Sequence, residues 1–485
     1  MSNLSELLPT GGGQNAVDFV ATGNLANGQA VALKTDGTVE VIAASTDSAG
    51  TPVIFATVST GYTSSTFDST LNKVVVAYSD ITNGYYGNVV VGTVSGTSIS
   101  FGTAVVFNSA RSDRIATTFD STNGKVVIAY RDWGNNLYGA AKVGTVSGTS
   151  ISYGSAVVFE AAEIGNVVAT FDSYSNKVVI VCTDNPNSFY GTAVVGTVSG
   201  TAISFGTAVV FDGTIAAQQL SATFDSTNNK IVISYQRSNG STNVGTAVVG
   251  TVSGTAISFG TPVVFSNAVT TVTSATYDSA NNKIVIAYQN GSNSYYGTAI
   301  VGTVSGTAIS FGTAVVFESA NTSFISATFD SSANKITIAY SDGGNSQYGT
   351  AIVGTVSGTS LSFGAAVVFE SANSQNISIT YDSANNKVVI VYQDNPNSFY
   401  GTSVVFTVGS SNNTSFIGIT SEAISNGATG AINTFGGINT VQTGLTIASD
   451  YYVQGNGTLS TASASPAIKV GQALSATTIN MKDLT

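Results

Sequence analysis

One stretch constrains this chain more than any other. Residues 326–369 read SATFDSSANKITIAYSDGGNSQYGTAIVGTVSGTSLSFGAAVVF, and variants of that text recur seven times. The Asp of its F/Y-D-S motif falls at Asp68, Asp120, Asp172, Asp225, Asp278, Asp330 and Asp382, at intervals of 52 or 53 residues. A fixed period of roughly 40–50 residues, built from short alternating segments, is the mark of a β-propeller. Each unit divides into four strands. Residues 326–330 form the first, closed by turn residues Asp330, Ser331 and Asn334. Residues 335–340 are a β-branched second strand, 349–356 a third, and 360–369 a fourth that bends at Gly364. A lone blade could not bury both its faces, so the repeats must stack. The expectation is an all-β chain with a seven-bladed propeller of four-stranded blades.

Closure is legible at the ends. The hairpin text VSGT-S/A-I/L-S-F/Y-G occurs only six times, and after Val408 the fourth strand is missing. Its counterpart stands at the front, where residues 50–55 (GTPVIF) match residues 260–265 (GTPVVF). The front of the chain is therefore expected to supply the outer strand of the last blade, leaving no open edge.

Composition narrows the function. Charged residues are only 8% of the chain, far below the usual quarter. That suits a Gly/Ser/Thr/Asn-surfaced protein of an extracellular or virion setting. The net charge of −11, with four arginines, argues against nucleic acid as a partner, since phosphate contacts need clustered basic residues. There is no histidine, which excludes Ser–His triads, histidine acid/base work and histidine metal ligands. Cys182 stands where the other units have Tyr78, Tyr130, Tyr235, Tyr288, Tyr340 and Tyr392, and reads as a core substitution. No run of 18 apolar residues marks a membrane-crossing helix. The opening text MSNLSELLPTGGGQN lacks the basic-then-apolar profile of a signal peptide, which fits a virion component released by lysis.

In such a blade the one–two and three–four turns lie on one face of the disc. The two–three turns and the linkers between blades lie on the other. The first face is monotonous: D-S-x-x-N-K and V-S-G-T recur, and Asp330 with Lys335 reads as a turn-former and a local charge pair. The second face varies, from DITNGYYG (80–87) to DWGNNLYG (132–139) to DNPNSFYG (184–191 and 394–401). All four arginines and the single tryptophan fall there, which marks it as the working face. Arg111, Arg114, Arg131, Asp132 and Trp133, from adjacent loops, form the candidate ligand-binding group. An indole platform flanked by guanidinium and carboxylate groups is how proteins hold sugars. The plain alternative is a solvated loop with an Arg–Asp pair. The D-x-x-N turns are dense in oxygen donors, but their spacing misses D-x-D-x-D-G, so Asx turns explain them better than calcium. Neither a metal nor a cofactor is expected. Glu160, Glu163, Glu318 and Glu370 are the acids a glycosidase would have to use, and they sit in linkers. The main reading is not an enzyme.

The ends, residues 1–49 and 411–485, flank the propeller of residues 50–410. They read as a small β-barrel or sandwich domain built from both termini, with turns at Asp36-Gly37 and several Gly/Asn positions. Residues 444–461 (GLTIASDYYVQGNGTLST), 468–479 (IKVGQALSATTI) and 25–43 (LANGQAVALKTDGTVEVIA) resemble a small β-module recurrent in the head fibres, decoration proteins and tail fibres of tailed bacteriophages. The resemblance covers about 120 residues and implies a virion structural protein. Its terminal module would bind other virion proteins or form a homo-oligomer, and its propeller would face host-surface glycans. The propeller itself carries neither the S-x-D-x-G-x-T-W box of sialidases nor the W-D and G-H dipeptides of WD40 repeats. The alternative function is a secreted or cell-surface lectin-like adhesin.

Overall fold

A computed structural model describes residues 15–238, 243–463 and 467–482. The chain divides into two compact units, residues 47–408 and the two ends, up to residue 46 and from 409 onward.

The larger unit is a closed ring of seven antiparallel blades. In the sixth blade, Lys335–Asp342 pairs with Tyr348–Ser357, which pairs outward with Ser360–Phe363. The chain breaks at residues 364–366 and rejoins the same edge through Val367–Asp382. That 16-residue strand has two jobs. Its front half completes the outer edge of one blade, and its back half is the innermost strand of the next. The linkers expected between blades are thus extended strand rather than loop, and Glu160, Glu318 and Glu370 lie within them.

The reason is packing with period 2 on both faces of each blade. Ile336, Ile338 and Tyr340 pack with Val285 and Ala287 of the fifth blade. The alternate residue Ala339 packs with Ile390 and Tyr392 of the seventh. Large side chains point one way and small ones the other, so the blades nest. A buried ring locks each outer edge: Phe369 lies over Gly349, where a Cβ would stand 2.3 Å from the ring, and 5.3 Å from Tyr392. Only glycine leaves room for that phenylalanine.

The ring closes as its ends foretold. Val53, Ile54 and Ala56 pair with Ser403, Thr402 and Gly401 of the seventh blade, and Ser48 and Ala49 extend the pairing. Around the axis, serines on the innermost strands accept backbone N–H groups of the next blade: Ser64 from Thr117, Ser221 from Ala275, Ser274 from Ala327, Ser326 from Ile379, and Ser378 from Ser65 across the closure. The equivalent positions of the second and third blades hold Ala116 and Val168, which cannot accept.

The monotonous turns are Asx turns. Asp330 Oδ1 accepts the backbone N–H of Ser332 and Ala333 at 2.8 and 3.0 Å, and Asn334 takes the left-handed conformation (φ 54°). The expected Asp330–Lys335 charge pair does not form. Lys335 Nζ donates across to Thr355 Oγ1, because its strand points it toward strand three.

The smaller unit contains two five-stranded sheets. One joins Ala16–Val20, Ala30–Leu33 and Val39–Val41 from the front with Phe416–Thr420 and Thr429–Thr434 from the rear. The other is built wholly from residues 438–480. Ala30, Ala32 and Ile419 of the first share a core with Val453, Val470 and Ile479 of the second, a sandwich of mixed chain origin.

Candidate functional site

Strand Lys125–Asp132 delivers Arg131 and Asp132 to the variable face, where a single 3-10 turn, Trp133–Asn135, follows. The adjacent strand Val105–Asp120 brings Arg111, Asp113 and Arg114. Three of the five expected residues meet here, and they meet around Asp113, a carboxylate with none of its side chain exposed. Arg131 grips it with Nε at 2.6 Å and Nη2 at 2.9 Å. Trp133 Nε1 donates to Oδ2 at 2.7 Å, and Arg111 Nη2 lies 3.5 Å from the same oxygen. The Arg111 guanidinium sits 3.8 Å from the indole centroid and 4.6 Å from the ring of Tyr85 on the first blade. A Tyr–Arg–Trp stack on a buried carboxylate is a rigid object, although Arg111 Nε is a buried donor with no acceptor among the described residues. Burial works against the Arg131 charge, but the hydrogen bond and charge of Asp113 outweigh it and hold the guanidinium protonated.

Two expected members do otherwise. Asp132 does not grip a ligand or an arginine. It caps the 3-10 turn, accepting from Gly134 N at 3.0 Å and from Asn108 Nδ2 at 3.1 Å. Arg114 leaves the group altogether, because a β-bulge opposite Ala129/Arg131 turns it toward the axis of the ring. Sequence reading missed Asp113, the hub. Its only signal is an acid between two arginines in NSARSDRIA, and strand alternation alone cannot tell which neighbour it will face.

The same bulge occurs where each blade's innermost strand begins. It presents Tyr62, Asn166, Gln219, Val272, Phe324 and Asn376 at positions equivalent to Arg114. Six of those seven positions, all but Asn166, have positive φ, an uncommon state for Val272 or Phe324. The variable end of the channel is a cavity of about 240 Å³ lined by Arg114, Tyr62, Asn166, Gln219, Phe324 and Asn376 of this ring. The opposite mouth is uniform, with Thr66, Thr118, Thr170 and their equivalents in every blade, each followed by Phe or Tyr.

A second feature of the variable face was not anticipated. Among the described residues, six of the two–three turns, one in each blade but the fourth, pass through tandem left-handed residues, such as Ser188 and Phe189, Ser294 and Tyr295, or Ser398 and Phe399. The second of each pair lifts its side chain outward while its carbonyl accepts an N–H from the next linker: Phe189 from Ala217, Tyr295 from Thr322, Phe399 from Thr60, and Tyr85 from Ser112. Phe189, Tyr295 and Phe399 remain 48%, 46% and 43% exposed, beside Trp133 at 42%. In the third blade Asp184 Oδ1 and Asn185 Oδ1 are buried acceptors that no described residue donates to, in the same turn as Phe189. Asn290 Oδ1 is their counterpart in the turn of Tyr295.

The linker acids have structural partners. Tyr340 and Tyr392 hydroxyls donate to Glu318 and Glu370 at 3.0 and 2.8 Å, and Asn185 donates to Glu163 at 3.1 Å. Cys182 leaves Glu160 without that tyrosine, and burial together with Asp184 pushes its carboxyl above the ordinary value. Among the described residues no group of three or more His, Cys, Asp or Glu side chains is placed to hold a metal ion. No helix among them is long and apolar enough to cross a membrane.

No protein-family model matches the chain, and no curated protein matches it significantly. Its fold is similar to that of the BP39L lectin from Burkholderia pseudomallei, with a TM-score of 0.56 and 10% identity, covering 74% of this chain and 98% of that one. A protein of unknown function from Dyadobacter fermentans matches at a TM-score of 0.47 and 9% identity, over 75% of this chain and 99% of that one. The SapL1 lectin in complex with alpha methyl fucoside matches at 0.39 and 13% identity, over 64% and 99%. At such identities the likeness is one of fold.

Proposed function

We propose that the propeller is a lectin-like carbohydrate-binding module that holds glycans on its variable face without catalysing a reaction. The observation that carries this is the repeated exposed aromatic held outward by a clamped turn, at Phe189, Tyr295 and Phe399. A pyranose offers apolar C–H faces to such a ring, and the exposed Asn187 and Ser188 beside Phe189 offer polar groups to its hydroxyls. Repetition at Tyr295 and Phe399 gives several modest sites on one rigid face, where avidity adds to affinity. The fold shared with a protein named as a lectin supports the reading. The Asp113 cluster serves here as a scaffold: its arginines are spent on the carboxylate, and Arg111 stacks on the Trp133 ring.

The test is a glycan array probed with the full chain and with Phe189→Ala, Tyr295→Ala and Phe399→Ala, singly and together. Graded loss supports the reading, and binding that survives the triple variant overturns it.

For the assembly we propose a bacteriophage virion, a reading that rests only on the terminal text at 25–43, 444–461 and 468–479. Mass spectrometry of purified particles tests it, and particles lacking this chain would leave the secreted or cell-surface adhesin in its place.

A further inference from the structure

We infer that the variable mouth of the central channel is a separate site for an acidic sugar, with Arg114 receiving its carboxylate; the anion part stands on the geometry below, and the sugar part rests on the proposed glycan binding. Three observations meet here. First, the seven blades are near-copies, and their innermost strands begin with the same bulge, yet the side chains those bulges present comprise six residue types. The other mouth keeps threonine in all seven copies. Variation confined to one ring of an otherwise repeated scaffold is where selectivity is built.

Second, Arg114 is the one arginine of four that makes no ion pair among the described residues. Arg111 and Arg131 are held by Asp113, and Arg237 by Asp212 at 2.8 Å. Arg114 is exposed, with its guanidinium 5.6 Å from the Tyr62 ring, and no carboxylate is among the residues lining the cavity. In a chain of net charge −11, an anion is repelled in general and admitted only where a cation is aimed at it.

Third, the rest of the ring suits a sugar rather than a bare ion. Asn166 and Gln219 offer amide donors and acceptors, while Tyr62 and Phe324 offer ring faces. A guanidinium forks to a carboxylate, and the amides complement neighbouring hydroxyls. The chemistry fits a uronate-type residue, terminal or protruding, because the cavity is closed by blades on every side and open at its mouth.

The experiment exploits the arginine count. The ¹⁵N spectrum of the arginine Nε–H groups of the full chain contains four signals, and Arg114→Lys identifies one by its loss. Titration with methyl glucuronide should shift the Arg114 signal saturably and leave the other three in place, whereas methyl glucoside should not move it. Arg114→Gln, checked for an unchanged melting temperature, should weaken glucuronide binding about tenfold or more, the loss expected for one charge-assisted hydrogen-bonded contact. A glucuronide that shifts a different arginine, or none, overturns the site. Acetate binding as tightly as glucuronide overturns the sugar assignment and leaves a simple anion site. Neutral-glycan binding that is intact in Arg114→Gln and lost in Phe189→Ala separates this inference from the broader proposal, so either can fail alone.

Discussion

Replacing Asp113 by Ala tests whether the cluster on the second blade is a structural hub. The carboxylate is wholly buried, and its removal strands Arg131, only 13% exposed, without its bidentate partner. Breaking a buried pair from one side costs about 3–5 kcal/mol. Arg131 keeps its Nη1 bond to the Ile164 carbonyl at 3.1 Å and some contact with solvent, so the low end of that range, about 3 kcal/mol, applies. With about 2.1 cal/mol/K of unfolding entropy per residue, the ring of residues 47–408 melts with about 0.8 kcal/mol/K, so Tm should fall by about 4 °C. Trp133 is the only tryptophan in the chain and donates to Asp113, so its fluorescence reports the site directly. Emission should shift to the red in the folded variant, because the indole N–H loses its acceptor and gains water. A double-mutant cycle with Arg131→Met, followed by urea titration, should give a coupling energy of at least about 1.5 kcal/mol. Additivity within about 0.5 kcal/mol, or a Trp133 spectrum that does not respond to Asp113→Ala, would refute the hub.

Three further outcomes are expected. Deleting residues 50–55 removes the outer strand of the seventh blade, and the milder Phe55→Ala should cost about 3–5 kcal/mol, because that ring fills the space over Gly401; unchanged melting of both variants would sink the closure. Ser378→Ala breaks the axial hydrogen bond between the seventh and first blades and should cost about 1 kcal/mol in urea titration, whereas Ala116→Ser should add a comparable link if the neighbouring N–H of Ala169 is in reach. Glu160 has its carboxyl raised by burial and by Asp184, so folding favours its protonated form. That contribution is full below the ordinary value of 4.5 and is lost as pH rises through the raised one. Glu160→Gln should therefore melt higher than the parent at pH 7.5, with the gain fading toward pH 4; a gain that grows on acidification contradicts the assignment.

The repeat made the architecture readable because strand period, turn chemistry and the count of hairpins are all local properties written seven times over. Even the closure could be read, since residues 50–55 repeat the text of a strand missing at the other end. Side-chain direction at irregular backbone was not readable. A one-residue bulge sends Arg114 to the axis while Arg111, three positions earlier, goes to Trp133, and no periodicity distinguishes them. Asp beside Trp suggests a ligand group at Asp132, but a residue leading into a tight turn is claimed first by the turn's own N–H groups. The exposed aromatics were in plain sight as the F and Y of NSFYG and NSYYG, yet their outward direction depends on two consecutive left-handed residues held by carbonyl bonds to a linker distant in the chain, Ala217 for Phe189 and Thr60 for Phe399. The sequence alone therefore determined how many blades form and which turns join them, because those follow from nearest-neighbour chemistry. Which side chains share a pocket was decided only by the closed ring, because bulges and inter-blade hydrogen bonds set direction through partners distant in the chain.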